Sequence, residues 1–388
     1  MKRLAIISTH PIQYNAPVFK LLAADPNLAV KVFYTLGTSA AEVVDKGFGK
    51  KISWDIPLLE GYEYQFLQNV SKNPGTSYFR GVINPAIIPE IEKFAPTDIL
   101  VYVLSFDSHL KVLRYFKNKV NVYFRGDSTL LDENGGIKLL LRRIMLSWTY
   151  RYIDKAFYVG TNNKQYFLRH GVKEQNLIFA PHAIDNERFG DDALHREESR
   201  RIRENLGIPE SHIVFLFAGK FEKKKNPLLL LSAFKQLNKQ DVSLVLVGNG
   251  VLETELQQTA AGYNNIHFLP FQNQTRMPAV YRAGDVLVLP SSGPGETWGL
   301  CINEAMASGL AVIASNKVGC AVDLVHENEN GFIFEADSVE SISDTLKNCS
   351  SRSADELAEM GKASRAIIAD WSFKHIYEAI RKTLYITT

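Results

Sequence analysis

Short apolar runs alternate with longer stretches of helical periodicity along this chain, a pattern typical of parallel sheets flanked by helices. Each apolar run is predicted as a buried strand. A second series of runs begins near residue 213, after a polar interval. Two such series predict two doubly wound α/β domains. The predicted strands are 4–7, 30–34, 99–103, 120–123 and 156–159, followed by 213–218, 243–247, 266–268, 286–289 and 311–314.

The polar interval between the two series predicts the domain boundary. Residues 190–204 contain many charges and few apolar side chains. We therefore predict Rossmann-like domains over 1–190 and 208–370, joined by a linker at 191–207. The last segment, 371–388, carries apolar residues close to helical spacing, which predicts an amphipathic helix that packs back on the first domain.

Composition narrows the class of protein. A length of 388 residues exceeds the usual size of one hydrophobic core, so two domains with a cleft between them are expected. With 46% hydrophobic and 22% charged residues, the chain is not broadly disordered. The net charge of +2 disfavours a dedicated nucleic-acid binder, so no nucleic-acid partner is predicted.

Cysteine usage and hydropathy predict a cytoplasmic protein. The 3 cysteines form no CxxC pair, so neither a disulfide framework nor a zinc site is predicted. The first apolar run is too short for the core of a signal peptide. No apolar stretch is long enough to span a bilayer, so any membrane contact is expected to be peripheral, at the inner face of the membrane.

The strongest chemical motif is Glu296-Thr-Trp-Gly-Leu-Cys-Ile-Asn-Glu304, which follows the glycine-rich loop 291–295. A strand, such a loop and a helix start together expose backbone N–H groups, which suit a diphosphate. Glu304 lies about one turn into the predicted helix and can accept hydrogen bonds from ribose hydroxyls, while Glu296 is expected to face sugar hydroxyls. Each glutamate alone also fits a solvated loop charge or a helix-dipole residue, but their spacing favours a ligand site.

A lysine-rich loop, 219–227, follows the first strand of the second domain. If it folds back at Asn226-Pro227, Lys220 and Lys225 can clamp a diphosphate and stabilise it as a leaving group. A solvated basic loop is the alternative, although the position at a strand's carboxyl end favours ligand binding. For the following turn, Gly248-Asn249-Gly250, a ligand contact and a plain tight turn are equally supported.

Residues 213–335 resemble the retaining glycosyltransferases often called family 4, which include sucrose synthase-like enzymes and bacterial cell-surface mannosyl- and glucosyltransferases. The family's Gly-Arg-Leu and Lys-Asn are matched by Gly219-Lys220-Phe221 and Lys225-Asn226. Its Glu-x-Phe-Gly-Leu-x-x-x-Glu is matched by 296–304, with Trp298 for phenylalanine. Lysine at 220 keeps the charge but loses the bidentate fork of arginine. The resemblance implies the GT-B architecture, in which two Rossmann-like domains face each other across a cleft.

The resemblance also implies an activity, namely retaining transfer of a hexosyl unit from a UDP- or GDP-linked sugar to a glycan or lipid-linked acceptor, in cell-surface polysaccharide synthesis. It implies no cofactor, and without need of an Asp-x-Asp motif no metal is predicted. The implied catalytic residues are Lys220, Lys225, Glu296 and His10. The implied donor-binding residues are Gly219, Lys220, Lys225, Asn249, Phe271, Gln272, Glu296, Thr297, Trp298, Gly299, Leu300 and Glu304.

In such a transferase the acceptor hydroxyl enters on the face from which the nucleoside diphosphate departs, so no glycosidase-like carboxylate pair is required. The protein mainly positions the reactants and neutralises charge on the β-phosphate, here through Lys220, Lys225 and the amides near Trp298 and Gly299. The resemblance implies that the leaving phosphate oxygen accepts the acceptor's proton.

Candidates on the first domain follow its predicted strands. His10 and Gln13 stand where many family members have a glycine-rich loop, and Arg125 and Asp127 stand where members often carry a histidine. These side chains are candidates for acceptor or phosphate contacts, and His109 is a weaker one. Structural roles stay open as alternatives: His10 as a turn cap, an Arg125–Asp127 ion pair and a structural His109.

Two further segments are candidates for acceptor contacts. Residues 137–152 form a basic and apolar helical stretch that could lie against an anionic membrane holding a lipid-linked acceptor. A helix packed on the sheet, with its arginines reaching to solvent, is the slightly favoured alternative. The loop around 47–49 and 54–55 is expected to read the acceptor.

Three other functions fit the same architecture: a sugar phosphorylase, a nucleotide-sugar epimerase and a catalytically inactive nucleotide-sugar-binding protein. The intact lysines and both glutamates speak against an inactive protein. A dinucleotide-dependent dehydrogenase is disfavoured, because no G-x-G-x-x-G follows the first predicted strand.

Overall fold

The computed structural model describes residues 1–37, 44–45, 50–51, 55–133, 135–190 and 192–386. The chain divides into two compact units. Unit 1 comprises Met1–Val43, Lys51–Pro181 and Phe373–Thr388, and unit 2 comprises Val44–Lys50 and His182–Ser372. The break along the chain therefore lies between Pro181 and His182, and the predicted linker 191–207 carries a helix of unit 2.

Unit 1 is built on a seven-stranded parallel sheet with the strand order β5-β2-β1-β6-β7-β8-β9. Its strands are β1 (Lys2–Ser8), β2 (Leu28–Tyr34), β5 (Glu63–Phe66), β6 (Asp98–Tyr102), β7 (Asn121–Arg125), β8 (Lys155–Tyr158) and β9 (Leu177–Phe179). Two short strands, β3 (Val44–Asp45) and β4 (Lys50–Lys51), belong to neither large sheet and pair with each other. Its helices are α1 (Ala16–Ala23), α2 (Ile87–Phe94), α3 (Asp107–Phe116), α4 (Ile137–Thr149), α5 (Thr161–Arg169) and α14 (Phe373–Ile386).

Unit 2 is built on a six-stranded parallel sheet with the strand order β12-β11-β10-β13-β14-β15. Its strands are β10 (Ile213–Ala218), β11 (Val242–Val247), β12 (Ile266–Leu269), β13 (Val286–Leu289), β14 (Ala311–Ser315) and β15 (Gly331–Phe334). Its helices are α6 (Ala193–Asn205), α7 (Pro227–Leu237), α8 (Glu253–Ala260), α9 (Met277–Arg282), α10 (Leu300–Ala307), α11 (Ala321–Leu324), α12 (Val339–Cys349) and α13 (Ala354–Ile368).

The predicted α/β class with two doubly wound domains is confirmed. All ten predicted strands are present, with ends that differ by no more than two residues. Strands β6, β11, β13 and β14 are buried along their whole length, so both faces of each sheet are covered, as in other parallel sheets. The prediction missed three edge strands, β5, β9 and β15. β5 and β9 contain no fully buried residue, so neither shows the apolar run used to find the others. β15 is as short as β13 but begins on Gly331, which shortens its apolar run to three residues.

The terminal helix α14 belongs to unit 1, where it lies against α1. Arg381 on α14 donates a hydrogen bond from Nε to Asp25 Oδ2 over 2.7 Å, just beyond the end of α1. The Asp25 carboxylate is almost fully buried. Its pKa is lowered, mainly because the amide of Asn27 donates to it, and the Arg381 guanidinium adds to the effect.

Helix α4 does not pack as its sequence suggested, because most of its apolar side chains face solvent. Ile137 and Leu141 are 75% and 61% exposed, whereas Leu146 packs against the core of unit 1. Arg143 reaches inward and donates to the buried Glu133 over 2.9 Å, while Arg142, which is 49% exposed, donates to the Tyr166 hydroxyl over 3.2 Å. The expectation of a helix packed on the sheet with its arginines in solvent holds for Leu146 and Arg142 but not for the exposed apolar face or for Arg143, which pairs with the buried Glu133.

No helix within the described part of the chain combines the length and the hydropathy needed to cross a bilayer.

Candidate active site

The loops that carry the strongest sequence motifs meet at one edge of the unit 2 sheet. They follow β10, β11 and β13, and the carboxyl ends of parallel strands lie at the same edge. The amide of Ser292 donates to the Lys224 carbonyl over 2.9 Å, which joins the loop after β13 to the lysine loop after β10. Residues far apart in sequence thus form one site.

The centre of this site is an ion pair between Lys225 and Glu296. Lys225 Nζ lies 2.5 Å from Glu296 Oε2, and the two side chains are only 17% and 8% exposed. The hydroxyl of Ser291 donates to the same carboxylate oxygen over 2.8 Å. Ser315 in turn donates its hydroxyl to the Ser291 carbonyl, which fixes the first residues of the loop.

The carboxylate beside it keeps Lys225 protonated. Burial, the largest single effect, lowers the pKa of Lys225, but Glu296 together with Cys301 and Glu222 raises it, so the pKa is raised overall. Neighbouring Cys301 has its thiol pKa raised to about 12, chiefly by burial and against the pull of Lys225. Cys301 therefore stays a neutral thiol and is not poised as a nucleophile.

The backbone of the turn Gly248-Asn249-Gly250 packs directly against the start of the lysine loop. A Cβ at Gly248 would lie 2.0 Å from the Gly219 carbonyl oxygen, and one at Gly250 would lie 2.6 Å from that of Phe221. The Phe221 amide donates to the Asn249 carbonyl over 2.9 Å. Glycine is needed at both positions so that the two backbones can touch, which gives the turn a structural role.

Asn249 combines that structural role with an open acceptor. Its side-chain Oδ1 is buried, and among the described residues it has no hydrogen-bond partner. Buried polar atoms are nearly always paired, so this oxygen is a good candidate for contact with a ligand at the lysine loop.

The entry to α10 is held rigidly. Gly299 has a φ of +99° and precedes the first helical residue, Leu300. Trp298 Nε1 donates to Asn303 Oδ1 over 2.9 Å, and Asn303 donates to the His182 carbonyl over 3.0 Å. The Trp298 ring also packs against Trp371, with centroids 5.2 Å apart.

Gly319 fixes the backbone of the motif from the other side. Its amide donates to the Glu296 carbonyl over 3.1 Å, and the Cys320 amide donates to the Trp298 carbonyl over 2.9 Å. A Cβ at Gly319 would lie 1.8 Å from the Thr297 carbonyl oxygen. Glu296, Thr297 and Trp298 are therefore clamped in place, and the amides of the first turn of α10 keep a fixed direction.

Glu304 lies one turn into α10, where the sequence placed it. It is 4% exposed, and the Tyr281 hydroxyl donates to its Oε2 over 2.8 Å. Sequence reasoning did not single out Tyr281, Asn303 or Ser291. Only Ser291 carried a usable pattern, because a hydroxyl residue directly after a buried strand lies at the ligand-binding edge.

The remaining donor candidates lie at the same edge and are partly buried. Lys220 and Gly219 directly follow β10, and Phe271 and Gln272 follow β12. Gln272 Nε2 donates to the Pro270 carbonyl over 2.8 Å, and its Oε1 accepts from Arg276 over 3.0 Å. The Gln272 side chain is thus held near the strand end by local bonds.

The unit 1 candidates separate into buried and accessible groups. His109 is fully buried and bonds to Thr35 Oγ1 and to the Tyr102 and Val103 carbonyls, and burial lowers its pKa to about 4. Arg125 is also buried and donates to the carbonyls of Ala180 and Pro181 over 2.6 and 2.8 Å. Both side chains hold unit 1 together, so the structural alternative for His109 fits its contacts, and the terminal nitrogens of Arg125 are already engaged by backbone oxygens.

His10, Gln13 and Asp127 lie at the carboxyl edge of the unit 1 sheet and are partly exposed. His10 Nδ1 bonds to Thr9 Oγ1 at 2.9 Å, and burial lowers the pKa of the imidazole. A neutral His10 can accept or donate a hydrogen bond to a ligand hydroxyl. Residues 47–49 and 54, expected to read the acceptor, lie outside the described residues.

The part of the chain that the structure describes contains no cluster of three or more His, Cys, Asp or Glu side chains suited to a metal ion.

Residues 198–366 match the family model described as glycosyl transferases group 1. The sulfoquinovosyl transferase SQD2 of Arabidopsis thaliana is 29% identical over 206 residues, which cover 52% of this chain and 38% of that protein. The UDP-Gal:alpha-D-GlcNAc-diphosphoundecaprenol alpha-1,3-galactosyltransferase of Escherichia coli is 30% identical over 183 residues, which cover 45% of each chain. The chain thus spans less than half the length of these curated relatives.

The solved structure of Anabaena Alr3699/HepE in complex with UDP matches with a TM-score of 0.75 over 99% of both chains, at 16% identity. This likeness shows the fold, which is that of the GT-B glycosyltransferases with two parallel-sheet Rossmann-like domains. The segment matched by the family model lies within unit 2 and contains the Lys225–Glu296 pair.

Breaking the ion pair from one side should destabilise the protein. Lys225→Met leaves the Glu296 carboxylate buried without its cation and is expected to lower the free energy of unfolding by roughly 2–4 kcal/mol, measured by urea denaturation. Adding Glu296→Gln should restore part of the loss. Lys224→Met is the matched control, since Lys224 is more exposed and its nearest carboxylate oxygen is 3.5 Å away. An equal loss in the control would contradict a special role for the pair.

Gly319→Ala should also be destabilising, by about 1–3 kcal/mol, because the new methyl group overlaps the Thr297 carbonyl. Gly135→Ala is the control, since a Cβ there meets nothing within 4 Å. Thermal or urea unfolding of both variants measures the difference. Two indistinguishable variants would mean that the 296–298 backbone is not clamped by Gly319.

Proposed function

We propose that this protein is a retaining glycosyltransferase that moves a hexosyl unit from a nucleoside-diphosphate sugar to a glycan or lipid-linked acceptor. The observation that carries the proposal is the buried Lys225–Glu296 pair beside the first turn of α10, within the segment that matches the group 1 model. A cation, a carboxylate and the amino end of a helix at one sheet edge suit the binding of a sugar diphosphate.

In this proposal the diphosphate lies at the amino end of α10, between Lys220 and Lys225. Drawing Lys225 towards the phosphates releases Glu296, whose carboxylate then accepts hydrogen bonds from the sugar hydroxyls. Glu304 accepts from the ribose hydroxyls. Because Lys225 leaves Glu296 when it binds the phosphates, donor binding and the release of Glu296 occur together.

The transfer step exchanges one bond for another at the anomeric carbon. The bond from that carbon to the β-phosphate oxygen breaks, and the acceptor oxygen bonds to the same face of the sugar. The acceptor's proton passes to the leaving phosphate oxygen. Lys220, Lys225 and the amides of the first turn of α10 stabilise the negative charge that develops there, with no resident metal or cofactor in the proposal.

A uridine nucleotide and a lipid-linked acceptor are the favoured substrates. The Anabaena structure contains UDP, and the name of the E. coli relative specifies a UDP sugar and a diphosphoundecaprenol acceptor. By analogy we propose that this chain acts at the inner face of the membrane in cell-surface polysaccharide synthesis. Whether the donor is UDP- or GDP-linked is decided by measuring both.

The outer face of α4 supports a membrane location. It exposes six apolar side chains at helical spacing: Ile137, Leu140, Leu141, Ile144, Met145 and Trp148. The helix has no acidic residue, Lys138 on it is exposed, and the Arg114 guanidinium lies 5.5 Å from the Trp148 ring. An apolar stripe bordered by Lys138 and Arg114 suits the surface of an anionic bilayer.

The donor assay tests the activity. With labelled UDP- or GDP-sugars and a lipid-linked acceptor, Glu296→Gln should lower kcat/KM by about 10²-fold, because an interaction made by the carboxylate in the transition state is lost. Glu255→Gln makes the same chemical change on exposed α8 and should leave turnover unchanged. Phosphate-dependent release of a sugar phosphate, or isomerised donor, would instead support the phosphorylase or epimerase alternatives.

Vesicle binding tests the role of α4. Leu141→Asp/Ile144→Asp should weaken co-sedimentation with phosphatidylglycerol vesicles at least tenfold, since about 1.4 kcal/mol of lost apolar burial suffices for that factor. Leu194→Asp/Val70→Asp alters two exposed apolar residues outside α4 and should bind normally. Equal binding of both variants would remove α4 from the membrane contact.

A further inference from the structure

A second concave site lies at the opposite edge of the unit 2 sheet. It is a cavity of about 410 Å³ at the amino ends of β10, β13 and β14, lined by residues of α6, α9 and α13. The Lys225–Glu296 pair lies at the carboxyl ends of the same strands. The cavity is therefore separate from the candidate active site.

The lining of this cavity is positively charged. Four of its residues are arginines and two are acids. Asp285 is already engaged, because Arg203 donates to it over 2.8 Å and the Val214 amide over 2.7 Å. The second acid, Glu210, is exposed at the rim. The arginines are Arg196, Arg203, Arg282 and Arg365.

Two of these arginines hold the walls together. Arg282 donates to the carbonyls of Ser308 and Phe189 over 3.1 and 2.9 Å. Arg203 donates from Nε to the Ala283 carbonyl over 2.8 Å, in addition to its bond to Asp285. Their positive charge still faces the cavity, although most of their donors are used.

Arg365 differs from them. Within the described chain its guanidinium forms no hydrogen bond or ion pair, although it is partly buried. A Cβ at Gly309 would lie 2.1 Å from Arg365 Nη1, so the guanidinium occupies space that only a glycine leaves open. Arg365 is thus a confined cation whose planar fork of donors is available.

Ser308 supplies a second, independent indication of a ligand. The residue is 3% exposed and lines the cavity, and its Oγ has no hydrogen-bond partner among the described residues. Burying an unsatisfied hydroxyl is unfavourable, so a ligand that accepts its hydrogen bond would remove a cost of folding.

We propose that this cavity binds a small phosphorylated anion. A tetrahedral phosphate presents oxygens in several directions, which suits arginines that arrive from three helices and a hydroxyl from a fourth element. A carboxylate presents only two oxygens in one plane. The volume falls in the range of small-molecule sites. The proposal does not depend on the transferase activity, because the two sites share no residue.

Calorimetric titration of inorganic phosphate into the full chain, at an ionic strength held constant with sodium chloride, tests the proposal. Arg365→Gln should weaken phosphate binding about tenfold, as expected for the loss of charge-assisted bonds. Ser308→Ala should weaken it a few-fold. Lys362→Gln removes the same charge from α13 outside the cavity and should have no effect, since Lys362 is exposed and pairs with Glu359.

The donor-loop variant Lys220→Gln separates the two sites. Phosphate binding that survives Lys220→Gln and is lost in Arg365→Gln supports the proposal. Binding lost in Lys220→Gln but kept in Arg365→Gln would place the phosphate at the lysine loop and overturn it. Equal weakening by Arg365→Gln and Lys362→Gln would show that only the net charge of the protein matters, and would overturn the proposed site. Tighter binding of malonate than of phosphate would overturn the choice of ligand.

Discussion

The candidate site in unit 2 depends on one constraint: Lys225 and Glu296, from different loops, must meet where little water reaches them. Removing both charges from water is costly, and only close geometry with additional hydrogen bonds offsets that cost. Ser291 supplies one such bond. Glycines at 248, 250 and 319 let three backbone segments approach closely enough to hold the two loops in register. An anionic ligand can bind at this pair by competing with the Glu296 carboxylate for the Lys225 ammonium group.

Much of this arrangement was accessible from the sequence, and the reasons are physical. Central parallel strands are buried on both faces and therefore show as continuous apolar runs, whereas β5 and β9 at the sheet edges do not. The two loops were recognised because ligands bind at the carboxyl ends of such strands. The direct pairing of Lys225 with Glu296 was not predicted. The sequence assigned Glu296 to the sugar and Lys225 to the phosphate, and gave no sign that the two side chains contact each other. The packing of α4 was partly misjudged because the pairing of Arg143 with Glu133 is a tertiary effect. The roles assigned to Glu304, Phe271 and Gln272 towards a donor stay predictions.

Helix α10 connects the two edges of the unit 2 sheet. Its first turn stands beside the ion pair, and Ser308, which follows its last residue, lines the arginine cavity. Residues Ile302 to Ala307 are all buried, so the helix has no face on which it could slide freely. Any ligand that draws on Ser308 therefore acts on the same rigid element that presents amides to the other edge. The charged segment before β10, which looked like a linker, forms one wall of that cavity through α6.

The contact between the Trp298 and Trp371 rings makes the fluorescence of this part of the molecule distinctive. Of the four tryptophans in the chain, Trp298 is 3% exposed and lies within van der Waals reach of a second indole, whereas Trp148 on α4 is 39% exposed. A buried indole emits at a shorter wavelength than an indole in water. Two indoles in contact also quench each other's fluorescence. Among the described residues, the unlabelled protein therefore carries tryptophans in two distinguishable environments, one at the start of α10 and one on the outer face of α4.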